Sequence, residues 1–191
     1  MENINANLRH VANYMVQLFY QTEQQFTCTQ TKIGKLLSIL ALKYAVNNKK
    51  LFDSAIYRYK DCGAAIPDLL LFQKDRDVYL RSSYTDLNCE IPEDIWVTRN
   101  SMTNDPLNPG QFVYATYRDI ESLTEKLKRD IEEVFCKFGA YCQRELGYLL
   151  NPIVEYDKVT GYKNMIDLDE IRKLKKEDFE KTNELIEYLF L

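Results

Sequence analysis

Histidine, glycine-rich loops and closely spaced cysteines are the usual carriers of recognisable chemistry, and this chain has little of any of them. His10 is the single histidine in 191 residues, so the metal-binding spacings that need two histidines are excluded. The six glycines are scattered, and neither G-x-G-x-x-G nor G-x-x-x-x-G-K occurs; no phosphate cradle is expected. Gly34-Lys35 falls inside a helical pattern with no glycine-rich loop before it. Cysteines stand at 28, 62, 89, 136 and 142, odd in number and with no C-x-x-C, which argues against a disulfide framework or a zinc knuckle. Cys136 and Cys142 flank Gly139 and are expected to be packing residues. The longest apolar stretch, from Ile33 to Val46, is broken by Gly34, Lys35, Ser38 and Lys43, so it falls short of the ~18–20 apolar residues that a membrane span requires. The segment Met1-Glu-Asn-Ile has neither the basic nor the apolar region of a signal peptide, and the expected compartment is the cytoplasm.

What the chain does have is tyrosine: 14 of them, in an aromatic content of 13%. Tyrosine serves both in cores with a wet edge and in recognition surfaces. A net charge of −4 disfavours broad nucleic-acid binding, which calls for a basic face. Arg172, Lys173, Lys175 and Lys176 form one basic run, but Glu177, Asp178 and Glu180 follow it, and a solvated helix surface is the expectation. Asp167, Asp169 and Glu170 alternate as metal ligands do, yet lack the glycine and distal glutamate of a calcium loop; a helix start is the simpler assignment. Glu121, Glu125, Lys126 and the residues from Lys128 to Glu133 have the spacing of a solvated helix face. No catalytic residues, cofactor or metal site are expected, and the chain is read as non-enzymatic.

Apolar periodicity predicts a mainly α (α+β) fold. Ile4, Leu8, Val11, Met15 and Phe19 mark a first helix, capped by Asn3 or Asn5. Ile33, Leu36, Leu37, Leu40 and Tyr44 mark a second, capped by Thr29 or Thr31 and stopped at Asn47-Asn48. The two are expected to pack as a helical hairpin. Ile56-Tyr57-Arg58-Tyr59 is β-prone, and residues 66–72 suggest a short helix with Pro67 in its first turn. Residues 75–117 form a β-rich insert: Val78–Leu80, Ile95–Val97 and Phe112–Tyr114 are short strand-like runs, with a loop at residues 101–110. Helices resume near Asp119, with a capping box from Ser122 to Glu125 and a stop at Gly139. A further helix spans Tyr141–Leu150 and ends at Asn151-Pro152, before a loop at residues 155–161. Residues 166–174 leave helix and loop open, and Phe179, Leu185, Ile186 and Leu189 give a final helix. A single domain, residues 1–191, accounts for this layout: a helical bundle-like body with a small antiparallel β insert.

Several of these elements fall in a familiar order. Ala12-Asn13-Tyr14 lies in the first helix and Ile33-Gly34-Lys35-Leu36-Leu37 in the second. Leu51-Phe52-Asp53 follows, then Tyr59-Lys60-Asp61-Cys62-Gly63-Ala64-Ala65-Ile66-Pro67. In this order and spacing the chain resembles the Panacea antitoxin domain family, which includes phage-associated proteins and a bacterial proteolysis adaptor. The resemblance covers roughly the first seventy residues and a patch from Val134 to Leu146. Ser38 stands where the family has tyrosine, and Ala64 where it has proline. The resemblance implies a largely helical domain that binds and neutralises a protein partner, typically a small toxin. Tyr57, Tyr59, Lys60, Gly63 and Pro67 are the candidate partner-binding residues; closure of the turn between core elements is the competing role for the same five. A phage or prophage regulatory protein that contacts nucleic acid through Arg172–Lys176 is the alternative function.

Overall fold

In the computed structural model, residues 1–22, 28, 30–59, 63–66, 97–100, 111–114, 123–156 and 165–191 are described. Among them the chain is mainly helical: α1 (Leu8–Gln21), α2 (Gln30–Val46), α3 (Glu125–Phe138), α4 (Gln143–Tyr156), α5 (Leu168–Ile171) and α6 (Glu184–Leu189). Three two-stranded pairings accompany them: β1 (Glu2–Asn3) with β2 (Lys49–Lys50), β3 (Tyr57–Tyr59) with β4 (Gly63–Ala65), and β5 (Val97–Asn100) with β6 (Gln111–Tyr114). The expected strand at 78–80 and, apart from Ile66, the expected helix over 66–72 lie outside the described residues.

Helix α2 is the centre of the body. Every residue from Lys32 to Leu42 is buried, the polar Lys32, Lys35 and Ser38 included, as befits a helix surrounded by others on all sides. It touches α1, but it packs more extensively on α3 and α4 and also meets α5 and α6. The expected α1–α2 hairpin is thus one contact among several. The core is a single cluster in which Met15, Phe19, Ile33, Leu36, Leu40 and Phe138 are fully buried. Phe19 meets Phe135 edge-on, with centroids 4.8 Å apart, and Phe138 meets Tyr188 in the same way at 5.2 Å. These contacts hold α1 to α3 and α3 to α6 beyond what buried area alone supplies.

The helix ends show which local signals win. Asn7, rather than Asn3 or Asn5, caps α1: its Oδ1 accepts from the backbone N–H of Arg9 at 3.0 Å. Residues 2–6 instead run beside the end of α2, with Glu2 and Asn3 in β1 and Asn5 in the left-handed region at φ 52°. The N–H groups of Glu2, Ile4 and Ala6 donate to the carbonyls of Asn48, Lys50 and Leu51, in parallel register Glu2↔Lys49 and Asn3↔Lys50. Asn48, at φ 60°, makes the left-handed turn that ends α2, as an asparagine there can. Thr124 caps α3, accepting from the N–H of Leu127 at 3.3 Å, so the helix starts later than a Ser122 box would place it. Gly139 ends α3 as expected.

Helix α4 runs through Pro152 to Tyr156 and does not stop at Asn151. An interior proline deletes one i→i−4 hydrogen bond. Leu146, Leu150 and Ile153 nevertheless keep helical spacing and are all buried, and burial of Ile153 alone offsets ~1.5–3 kcal/mol. Cys136 and Cys142 are exposed, not packed; only Cys28 of the described cysteines is buried. Cys136 faces away from the Leu127–Ile131–Val134–Phe138 stripe of α3, and Cys142 lies in the exposed link before α4. The loop predicted at 101–110 lies outside the described residues; the strands on either side of it pair in antiparallel register, Val97↔Tyr114 through Asn100↔Gln111, which is the hairpin expected within the insert.

Candidate partner-binding surface and polar clusters

The β3–β4 hairpin carries three of the five candidate residues. Its register sets Tyr57 opposite Ala65, Arg58 opposite Ala64 and Tyr59 opposite Gly63. Strand positions alternate between faces, so positions 57, 59, 63 and 65 share one face and positions 58 and 64 the other. β4 packs on α2 and α4, and Ala64 is fully buried there. Ile56 and Ile66, which bracket the hairpin, are buried too, and the carbonyl of Ile56 accepts from the N–H of Ile166 at 2.8 Å. The hairpin is therefore anchored from below by Ile56, Ala64 and Ile66. Tyr57, Tyr59 and Gly63 are brought together by the pairing, while Lys60 and Pro67 lie outside the described residues.

A second polar region joins α2, α3 and α6. The Tyr44 hydroxyl donates to Asp130 Oδ2 at 2.7 Å. The Lys43 ammonium lies 2.8 Å from Glu133 and 3.5 Å from Asp130, and 5.2 Å from the Tyr188 ring centroid. On the neighbouring turn, Tyr14 of α1 donates to Glu132. The acidic side of α3 is thus not merely a solvated face. Three of its carboxylates reach across to α1 and α2, whereas the Lys128–Glu125 pair alone follows the local spacing expected. Desolvation, with the neighbouring carboxylate, raises the Tyr14 hydroxyl to about 12 and Tyr44 higher still. Burial lifts Tyr188 to about 12, against the opposing pull of Lys43. The Lys43 ammonium is held above its ordinary range by Glu133, Tyr188 and Asp130, which outweigh its own desolvation.

Beside this cluster a cleft of about 290 Å³ is lined by Lys43, Tyr44, Asn47, Lys49, Lys126 and Asp130. Lys43 and Asp130 are engaged with each other there, and Lys49 pairs with Glu2 at 3.4 Å. Among the described residues no group of three or more His, Cys, Asp or Glu side chains is arranged to hold a metal ion. Asp167 caps α5, accepting from the N–H of Asp169 at 2.9 Å, which is the helix-start role expected of that acidic run. The basic run beside it is tied up by acids: Arg172 pairs with Asp169 at 3.2 Å, Lys173 with Glu170 and Lys176 with Glu187. His10 is half-buried on α1.

No family model, curated protein or solved structure matches this chain. Among the described residues, no helix is long and apolar enough to cross a membrane.

Proposed function

We propose that this chain is a non-enzymatic protein-binding module of the Panacea antitoxin kind, which neutralises a partner toxin in the cytoplasm by covering it. The observation that carries this reading is the β3–β4 hairpin. It is clamped on the helical body through Ile56, Ala64 and Ile66, and it sets Tyr57, Tyr59 and Gly63 on the face alternate to the buried Ala64. A short element anchored by buried neighbours that pairs tyrosines with a glycine is suited to recognition. Tyrosine brings large contact area with few rotatable bonds, and glycine lets a partner's backbone approach. The resemblance in motif order, from Ala12-Asn13-Tyr14 to Pro67, supports the same assignment.

The alternative, nucleic-acid binding through Arg172–Lys176, has less behind it. Arg172, Lys173 and Lys176 already face carboxylates, which cancel most of the field that phosphates would feel.

Co-expression with the product of the adjacent reading frame tests the proposal. A stable complex is expected, with relief of any toxicity of that product, and both should weaken in a Tyr57→Ala/Tyr59→Ala variant. Absence of both complex and relief refutes it.

A further inference from the structure

Helix α4, on which β4 rests, carries an aromatic and guanidinium pair that the core does not use. Arg144 and Tyr148 are one helical turn apart and both exposed; Tyr148, at 57% exposure, is the most exposed aromatic side chain of the described residues. The Arg144 Nε–H donates to the Tyr148 hydroxyl at 2.9 Å, and the guanidinium carbon lies 5.6 Å from the ring centroid. Each side chain therefore holds the other in place. This lowers the entropy that a partner would otherwise have to remove.

The chemistry of the pair is one-sided. Arg144 spends its Nε–H on Tyr148, which leaves both terminal nitrogens of the fork free, and among the described residues no carboxylate pairs with it. A guanidinium has donors only. The Tyr148 oxygen already accepts from Arg144 and has its own proton to give. What remains is a positive charge and a set of donors beside an exposed apolar ring. A carboxylate fits the fork in bidentate fashion, and an apolar neighbour of that carboxylate fits the ring. Through β4, α4 also neighbours β3, whose sequence Tyr57-Arg58-Tyr59 repeats the same residue types.

We propose that Arg144 and Tyr148 form a docking point for an acidic segment of a protein partner, with Arg144 clamping a carboxylate and Tyr148 covering the adjacent apolar side chain. This rests on the protein-binding reading above and specifies the partner's chemistry. The probe is a fluorescein-labelled peptide of repeated Glu-Glu-Leu triplets, with a Lys-Lys-Leu peptide beside it, followed by fluorescence polarisation. The acidic peptide binds and the basic one does not. Arg144→Glu weakens binding by about tenfold or more and Tyr148→Ala by about fivefold or more, as for a charge-assisted contact and an aromatic anchor. Binding falls with added salt, while both variants keep the wild-type melting temperature because neither side chain is buried. No binding, equal binding of the two peptides, or wild-type affinity in Arg144→Glu overturns the proposal. Displacement by millimolar inorganic phosphate overturns it too, since that marks a simple anion site. The two readings fail separately. A complex with the adjacent gene product that survives both substitutions removes the docking point and leaves the function. Arg144-dependent peptide binding without such a complex does the reverse.

Discussion

Replacing Gly139 by alanine should destabilise the protein, although simple helix propensity says the opposite. Gly139 has ordinary right-handed helical angles, φ −65° and ψ −26°, so alanine pays no conformational penalty there. Stiffening the unfolded chain would by itself add about 0.4–1 kcal/mol of stability. Space decides otherwise. A Cβ on Gly139 would sit 2.5 Å from the Phe135 carbonyl oxygen and 3.0 and 3.1 Å from two atoms of the Phe135 ring. That ring cannot yield freely, because it is nearly buried and meets Phe19 edge-on at 4.8 Å. Overpacking of this kind costs ~1–3 kcal/mol, which exceeds the gain. At about 2–4 °C per kcal/mol for a chain of this size, the melting temperature should fall by several degrees. Thermal and urea unfolding followed by circular dichroism measure it. Phe135→Leu, alone and with Gly139→Ala, separates the two obstacles: a strong favourable coupling identifies the ring as the obstacle, and none identifies the carbonyl. A Gly139→Ala protein as stable as wild type or more so refutes the steric reasoning.

Three other outcomes follow from the polar contacts. Removing the Tyr44 hydroxyl (Tyr44→Phe) should cost ~1–2 kcal/mol, since a partly buried hydrogen bond to a carboxylate is lost. A double-mutant cycle with Asp130→Asn should return most of that as coupling. Asn183→Ala should cost about 1–2 kcal/mol in chemical denaturation, because one side chain both caps α6 by accepting from Ile186 and donates to the Leu149 carbonyl. At high pH the sign is set by the raised tyrosines. Tyr14 and Tyr188 keep their protons to about 12 in the folded state, against about 10 when unfolded. Their contribution is complete below pH ~10 and is lost as the pH climbs from there through 12. Tyrosinate absorbance from these two should therefore lag that of ordinary tyrosines while the protein stays folded; their ionisation near pH ~10 in the folded state would contradict the assignment.

How far the sequence announced this structure depends on whether a signal was local. The stripes of α1, α2 and α3 were legible because each helix repeats its apolar residues on one side or all round, and the stop at Asn48 because asparagine tolerates the left-handed turn. The β5–β6 hairpin showed itself as two short aromatic or β-branched runs around a proline-rich loop. The β1–β2 pair did not, because two charged or polar residues pairing with two lysines far along the chain have no periodicity to detect. The caps at Asn7 and Thr124 were masked in the sequence by rival capping residues a few positions away, a choice only the packed helix settles. Pro152 signalled an end that the buried Ile153 overrides. Of the candidate site, residue types were visible but grouping was not. The pairing that sets Tyr57, Tyr59 and Gly63 together depends on register, and the Arg144–Tyr148 pair looked like ordinary helix surface. The carboxylates of α3 resembled a solvated face because their partners, Tyr14, Lys43 and Tyr44, lie 86 to 118 residues away.

The position of α2 has a consequence for how the protein is made. Synthesis delivers domains from the N-terminus at about 5–20 residues per second. The helices that cover α2 most fully, α3 and α4, begin at Glu125 and Gln143. A nascent chain with some 120 residues free of the ribosome thus holds α2, the central helix of the described residues, before those two walls exist, and for several seconds. During that interval α2 is a target for chaperones or for other nascent copies. Proteolysis of chains stalled at successive lengths should find the 30–46 segment open to cleavage until residues 125–156 have emerged, and closed soon afterwards.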